Sequence, residues 1–368
     1  MELSFCIPSL FGLEGLVGNE LRHMGLQNVA PENGRVYFTG TEQDVARVNL
    51  RCRFGERLLL VLSRFPADTF DELFEGVKAV PWEDYLPQNA RFPVSGWSLE
   101  SALHSVPDCQ SIVKKAVVER LKTRYGLQRF PENGELYRIR FGILKDKVAL
   151  YLDTSGTGLY KRGYRPAQVA APLRETLAAA MVDLSRYHGK GEFCDPFCGG
   201  GTIAIEAALA AKNRAPGLNR AFDAQRWSFL PAGIWQAAAD EARNAEFRGD
   251  YQIFASDIDP HAVELARANA ERAGVGDIIQ FSVADARRFH RSTERGILCC
   301  NPPYGERMLE KKEAGELYKD FGRALALCEG WHTYIISSHP EFETCFGKTA
   351  AKHRKLYNGM IPCTLYMY

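Results

Sequence analysis

From Glu2 to Ser9 apolar and polar residues alternate, the two-residue period of a strand with one buried face, and from Leu13 to Met24 apolar positions recur at helical spacing. Arg35 to Thr39 predicts a second strand. Thr41 with Asp44, and Thr69 with Glu72, have capping-box spacing and predict helices through Leu50 and over Phe70 to Val77. Between them Arg57 to Phe65 is a strongly apolar strand. Phe92 to Trp97 alternates again, Asp108 to Arg124 predicts a basic helix, and Leu136 to Leu144 faces Val148 to Asp153 across the turn Lys145-Asp146. The first 165 residues therefore form a small α+β module.

Beyond them the pattern changes to strand–helix alternation. An alanine- and leucine-rich helix over Val169 to Tyr187 leads into the short apolar run Glu192 to Cys194. That run ends at Asp195, breaks at Gly199-Gly200-Gly201, and resumes at Thr202 with helical spacing. Ile253 to Ser256 is a strand ending at Asp257; Asp259 is placed as an N-cap with Pro260 at the first helical position, for a helix through Ala273. Ile278 to Val283, Gly296 to Cys300 and Thr333 to Ser337 are further strands, and Leu317 to Cys328 is helical. Lys355 to Tyr357 and Ile361 to Met367 flank Asn358-Gly359, a type I′ hairpin signal. Asp195 and Asp257 are 62 positions apart, against roughly 20 between a Gly-rich turn and the acid that binds a ribose in dinucleotide folds. An insertion with a helical stretch over Gly233 to Phe247 fills the gap.

Composition fits a folded protein: 368 residues, 46% hydrophobic and 25% charged. No apolar run approaches the roughly 18 to 20 residues of a membrane span, and the first residues lack a basic stretch before an apolar one. A cytoplasmic location without membrane contact is expected. The ten cysteines are scattered, several inside strands, so they read as small hydrophobes; no spacing among them and the histidines suggests a metal site. Formal net charge is only +1, but from Ile112 to Arg165 thirteen Lys or Arg stand against five acids, and Lys348, Lys352, His353, Arg354 and Lys355 cluster near the end. Concentrated positive charge suits a phosphate backbone.

Two stretches carry chemistry. Glycines after a strand let the backbone approach a ligand closely, and the first N–H groups of the following helix point at any anion placed there. The turn Gly199 to Thr202 therefore suits a small anionic or zwitterionic cofactor. The second stretch, Asn301-Pro302-Pro303-Tyr304, follows a buried strand. Its prolines end ladder pairing, leaving the Asn301 side chain and the Pro302 carbonyl as acceptors for a planar exocyclic amine, with the Tyr304 ring to stack on the base.

DPFCGGGT followed by NPPY resembles the class I S-adenosylmethionine-dependent methyltransferases that modify exocyclic amines. Ala215-Pro216-Gly217-Leu218-Asn219-Arg220, Trp227, Arg162-Gly163-Tyr164-Arg165 and Ala171-Pro172-Leu173-Arg174 extend the resemblance to the THUMP-domain guanine-N2 methyltransferases of 23S ribosomal RNA. It implies an α/β fold: a Rossmann-like class I methyltransferase sheet with a terminal antiparallel hairpin, preceded by an α+β ferredoxin-like and THUMP module. The corresponding parts are 1–55, 56–160 and 166–368. S-adenosylmethionine would lie on Asp195, Phe197, Cys198, Gly199, Gly200, Gly201, Thr202, Asp257, Ile258, Asp285 and Ala286, with its ribose on Asp257 and its adenine amino group on Asp285. Asn301, Pro302, Pro303 and Tyr304 would hold the target amine, and Lys114, Lys115, Lys122, Arg124, Arg162 and Arg165 would contact RNA. Some relatives fuse a second methyltransferase domain; with Tyr368 as the last residue, one reaction and no obligate protein partner are expected. NPPY is shared with N6-adenine and N4-cytosine methyltransferases and THUMP with tRNA-modifying enzymes, so the insertion at Ala215 to Arg220 is what favours ribosomal RNA. A non-catalytic RNA-binding assembly factor is the competing reading of another class.

Overall fold

Among residues 2–165, 173–304 and 308–368, which the computed structural model describes, the chain forms two seven-stranded sheets. The first is built from β1 (Leu3–Pro8), β2 (Gln27–Glu32), β3 (Arg35–Gly40), β4 (Leu59–Pro66), β5 (Val94–Leu99), β6 (Ile139–Leu144) and β7 (Lys147–Asp153), in the order β2-β3-β1-β4-β7-β6-β5. Helices α1 (Glu14–His23), α2 (Glu42–Arg51), α3 (Phe70–Lys78) and α4 (Val106–Tyr125) connect these strands. Both predicted capping boxes form, at Thr41 and Thr69. Lys145 and Asp146 have φ of +50° and +59°, the left-handed pair a type I′ turn requires. The periodicity misses β2, because that strand is nearly all exposed and contains Pro31. Strand β4 is antiparallel to β1 on one side and to β7 on the other, so the parts expected over 1–55 and 56–160 share one continuous sheet.

The second sheet contains β8 (Glu192–Asp195), β9 (Gln252–Asp257), β10 (Ile279–Val283), β11 (Gly296–Cys300), β12 (Trp331–Ser337), β13 (Lys352–Asn358) and β14 (Ile361–Met367), ordered β10-β9-β8-β11-β12-β14-β13. Five strands are parallel, and β14 runs antiparallel to both β12 and β13. Helices α5 (Glu175–Leu184), α6 (Thr202–Ala211), α7 (Ile234–Asn244), α8 (Pro260–Ala273), α9 (Met308–Leu325) and α10 (Phe342–Phe346) complete this unit. This is the doubly wound sheet with a terminal hairpin that the sequence predicts. The part of the predicted 169–187 helix over 169–172, with Ala171 and Pro172, lies outside the described residues, as do Gly305, Glu306 and Arg307. Helix α9 starts nine positions before the expected Leu317 because charged residues such as Lys312, Glu313 and Glu316 interrupt the apolar period.

The 212–249 insertion clamps the two sheets together. Helix α7 packs on α2, and the Gly217 N–H donates to the Leu50 carbonyl at 2.8 Å. Trp227 stacks on Tyr137 with ring centroids 5.1 Å apart and donates from its indole to the Leu136 carbonyl. Arg220 donates to the carbonyls of Thr157, Gly158 and Lys161. The residues that favour ribosomal RNA by resemblance are thus spent on the junction.

Arg162 is corrected for the same reason. It is buried, ion-paired with Glu206 at 3.4 Å and bonded to the carbonyls of Cys52, Arg53 and Leu159, so it cannot meet a phosphate. Arg165 is largely buried too; its guanidinium pairs with Glu175 at 2.6 Å and reaches Thr202 Oγ1 at 3.2 Å.

Candidate functional site

Strand β8 lies between β9 and β11, with the chain running one way to β9 and β10 and the other way to β11 and β12. That reversal is the switch point at whose carboxyl end ligands bind in open parallel sheets. Asp195 closes β8 there, buried, and its Oδ1 accepts the Phe197 N–H at 3.2 Å. Burial, reinforced by the nearby Asp257 charge, pushes the Asp195 carboxyl up to about 8. The Phe197 ring meets Phe321 edge-on, and the Cys198 N–H donates to the Ser256 carbonyl at 2.9 Å, tying the turn to β9.

Gly199 and Gly201 have φ of +48° and +82°. A Cβ on Gly199 would meet nothing within 4 Å, so the outer side of the turn is open; one on Gly201 would lie 3.0 Å from the Ala266 Cβ on α8. Thr202 begins α6. Asp257 Oδ2 accepts the Gly199 N–H at 2.9 Å and Oδ1 accepts the Asp259 N–H at 3.1 Å, leaving lone pairs on both oxygens for further donors. Next to it Ile258 is 62% exposed, an apolar side chain left mostly uncovered. The open glycine, the acid and the exposed isoleucine fit a nucleoside joined to an amino-acid tail.

Asp285 has a partner that the sequence did not point to. Its carboxylate grips Arg287 through three contacts of 2.7 to 3.0 Å and caps the turn at Ala286, which is buried. Arg287 holds this carboxyl below its ordinary value. Its acceptors face the half-exposed guanidinium of Arg287.

Asn301 and Tyr304 lie beyond the carboxyl end of β11, the neighbour of β8. The Tyr304 hydroxyl donates to Asn301 Oδ1 at 2.5 Å, and the Cys363 thiol of β14 lies 3.9 Å from that hydroxyl. The ring is partly buried against the core, its hydroxyl anchored at both of these partners. Burial, then the neighbouring Cys363, pushes the phenol up and keeps it protonated. Pro302 is buried and Pro303 exposed. The Pro303 carbonyl accepts from Tyr318 of α9 at 2.5 Å.

Sequence reasoning missed two supports. Tyr318 is one, hidden as an ordinary apolar helix position. Asn269 of α8 is the other: fully buried, it donates to the Gly200 carbonyl at 2.8 Å and accepts from Arg272 at 2.6 Å. Its signal was a polar residue on a helix face otherwise made of Ala266, Ala270 and Ala273.

On α4 the charges are largely met within the protein. Lys114 pairs with Glu132, Lys122 with Glu119 and Arg124 with Glu83, while Lys115 lies over the Phe74 ring.

Residues 162–367 match the family model described as RMKL-like, methyltransferase domain, and 4–59 and 67–153 match the RlmL ferredoxin-like domain and the THUMP domain. The chain belongs to the RMKL-like methyltransferases. Another member, named "Putative RNA methyltransferase YpsC" in Bacillus subtilis, is 45% identical over 97% of this chain and 93% of its own. Ribosomal RNA large subunit methyltransferase K/L of Psychromonas ingrahamii is 36% identical over 100% of this chain, which spans only 50% of that RMKL-like enzyme. Among solved structures, a "predicted N6-adenine-specific DNA methylase" from Listeria monocytogenes superposes with a TM-score of 0.96 at 44% identity, covering 100% of this chain and 96% of that one. SMU.472, solved in complex with SAH, superposes at 0.94 with 38% identity, covering 100% and 98%. Among the described residues no helix is long and apolar enough to cross a membrane.

Proposed function

We propose that this RMKL-like methyltransferase transfers a methyl group from S-adenosylmethionine to the exocyclic N2 amine of a guanine in 23S ribosomal RNA. The observation that carries it is the adjacency of β8 and β11, which places the Gly199–Gly201 turn beside Asn301 and Pro302 at the switch point. When bound, S-adenosylmethionine supplies an electrophilic methyl group. Gly199 to Thr202 would take its amino-acid end, Asp257 its ribose hydroxyls and Ile258 its adenine face. The THUMP portion and the names of the K/L relatives support an RNA substrate.

Asn301 Oδ1 has two lone pairs; Tyr304 occupies one, and the other is available to an N–H of the incoming amine. The Pro302 carbonyl takes the second N–H. A neutral amide cannot accept a proton at physiological pH, so these groups align the amine, and its proton passes to solvent. Lys114, Lys115, Lys122 and Arg124 are retained as phosphate contacts at the rim of α4.

Mass mapping of modified nucleosides in 23S RNA and tRNA from a strain lacking the gene tests this reading. Loss of one N2-methylguanosine from 23S RNA is expected. Loss of an N6-methyladenosine, or of a tRNA nucleoside alone, overturns the assignment of base or of RNA.

A further inference from the structure

The tip of the β13–β14 hairpin overhangs the carboxyl end of the sheet. Ser337, the last residue of β12, pairs with Thr364, so Asn358 to Pro362 project past it on the side where Asn301 lies. On this overhang Met360 is 96% exposed and Ile361 42%, and Ile361 shares the face of Cys363, which touches the Tyr304 hydroxyl. The opposite face carries Tyr357, 36% exposed. Its ring meets Phe11 from the β1–α1 loop edge-on, with centroids 6.2 Å apart, and Phe11 is itself 59% exposed. The contact is braced from below: Arg354 donates to the Gly12 carbonyl at 2.5 Å, and Gly12 packs against the backbone of Lys355.

Two aromatic rings and a methionine thus stay at least partly in water at the carboxyl-end rim of the sheet, separated from β11 by β12 and β14, where burying them elsewhere in the fold would be favourable. A cation stands beside them: exposed Lys355 shares the face of Tyr357 two residues before it on β13, an edge strand, whereas exposed Lys352 lies at the start of that strand on the other face. Aromatic faces set among cations hold unpaired nucleotides, the bases stacking and the phosphates meeting the lysines. An enzyme acting on a base amine must also take that base out of its stack and leave its neighbours somewhere to rest. We propose that Phe11, Tyr357 and Met360 form a stacking platform for unpaired nucleotides flanking the target base, with Lys355 on a phosphate. The platform joins the ferredoxin-like portion to the edge of the catalytic sheet. It rests on the proposed RNA substrate and deepens it.

The test uses the full chain, S-adenosylmethionine and protein-free ribosomal RNA from the deletion strain. Wild-type methyl transfer to that RNA comes first; its absence defeats the RNA reading itself and with it the platform. Given transfer, Phe11→Leu with Tyr357→Leu, which keeps apolar bulk and removes the rings, should raise KM for RNA about tenfold or more. In that variant kcat at saturating RNA and S-adenosylmethionine affinity should stay within about twofold, and Phe11→Tyr with Tyr357→Phe should restore KM. Lys355→Gln should weaken the salt dependence of RNA binding. An unchanged KM in the leucine variant overturns the proposal. So does an unchanged KM accompanied by a shift in oligomeric state, which would make the patch a contact between protein copies.

Discussion

The Tyr304 hydroxyl fixes the Asn301 amide by donating to its oxygen, leaving one lone pair to steer a substrate N–H. Asn301→Ala should slow the single-turnover chemical step on the order of 10²-fold, the cost of one preorganised transition-state hydrogen bond, with cofactor affinity unchanged in calorimetry. Asn301→Asp keeps an acceptor and should retain part of the rate; a wild-type rate in the alanine variant would remove the role. Asp195 makes a different prediction. Its carboxyl is raised from 3.8 to about 8 in the folded protein. The folded state therefore binds a proton that the unfolded chain has released, and the stability linked to that proton is full below pH ~4 and lost as pH rises through about 8. Asp195→Asn keeps an acceptor for the Phe197 N–H and does not titrate. Thermal melts should show the variant gaining on wild type between pH 4.5 and 8 and levelling off above; a constant gap would show that Asp195 does not titrate in this range.

At the scale of elements, the turn between β8 and α6 is held from three sides, by Asp257, Ser256 and Asn269. Gly201→Ala would add a Cβ at 3.0 Å from Ala266 at a φ of +82°, so strain and a packing clash act together. A loss of about 1 to 3 kcal/mol in denaturant unfolding and weaker cofactor binding are expected. Gly191→Ala is the control, since Gly191 has a φ of +76° but nothing within 4 Å. An equal loss in both would mean that the contact with α8 contributes nothing. This turn and the Asn301 loop were legible in the sequence because each is contiguous, with breakers between runs of clear period. Asn269, Tyr318 and the contact of Tyr304 with Cys363 were not, since each depends on a partner brought near only by the sheet order. Arg162 shows the converse: its charge suggested a surface, and only the packing of Glu206 and three carbonyls around it shows otherwise.

The whole molecule depends on the junction that the insertion makes. A Cβ on Gly217 would lie 2.7 Å from the Leu50 Cα and 2.8 Å from the Asn49 carbonyl oxygen, so the backbone must give way. Gly217→Ala should lower stability by about 1 to 3 kcal/mol, as overpacking does, and speed hydrogen exchange in α2 and α7, while cofactor affinity holds. Exchange that rises uniformly through the chain would argue against a local clamp. The shared strand β4 has a consequence during biosynthesis. One edge is paired by β1, which leaves the ribosome before it, but the other waits for β7, whose first residue, Lys147, follows Pro66 roughly eighty positions later. At ~5–20 residues per second that is about 4 to 16 s in which a nascent apolar strand lies open along one side. An unpaired edge of that kind invites pairing with other chains, which makes the interval between β4 and β7 a point in translation where a holding chaperone would matter most to yield.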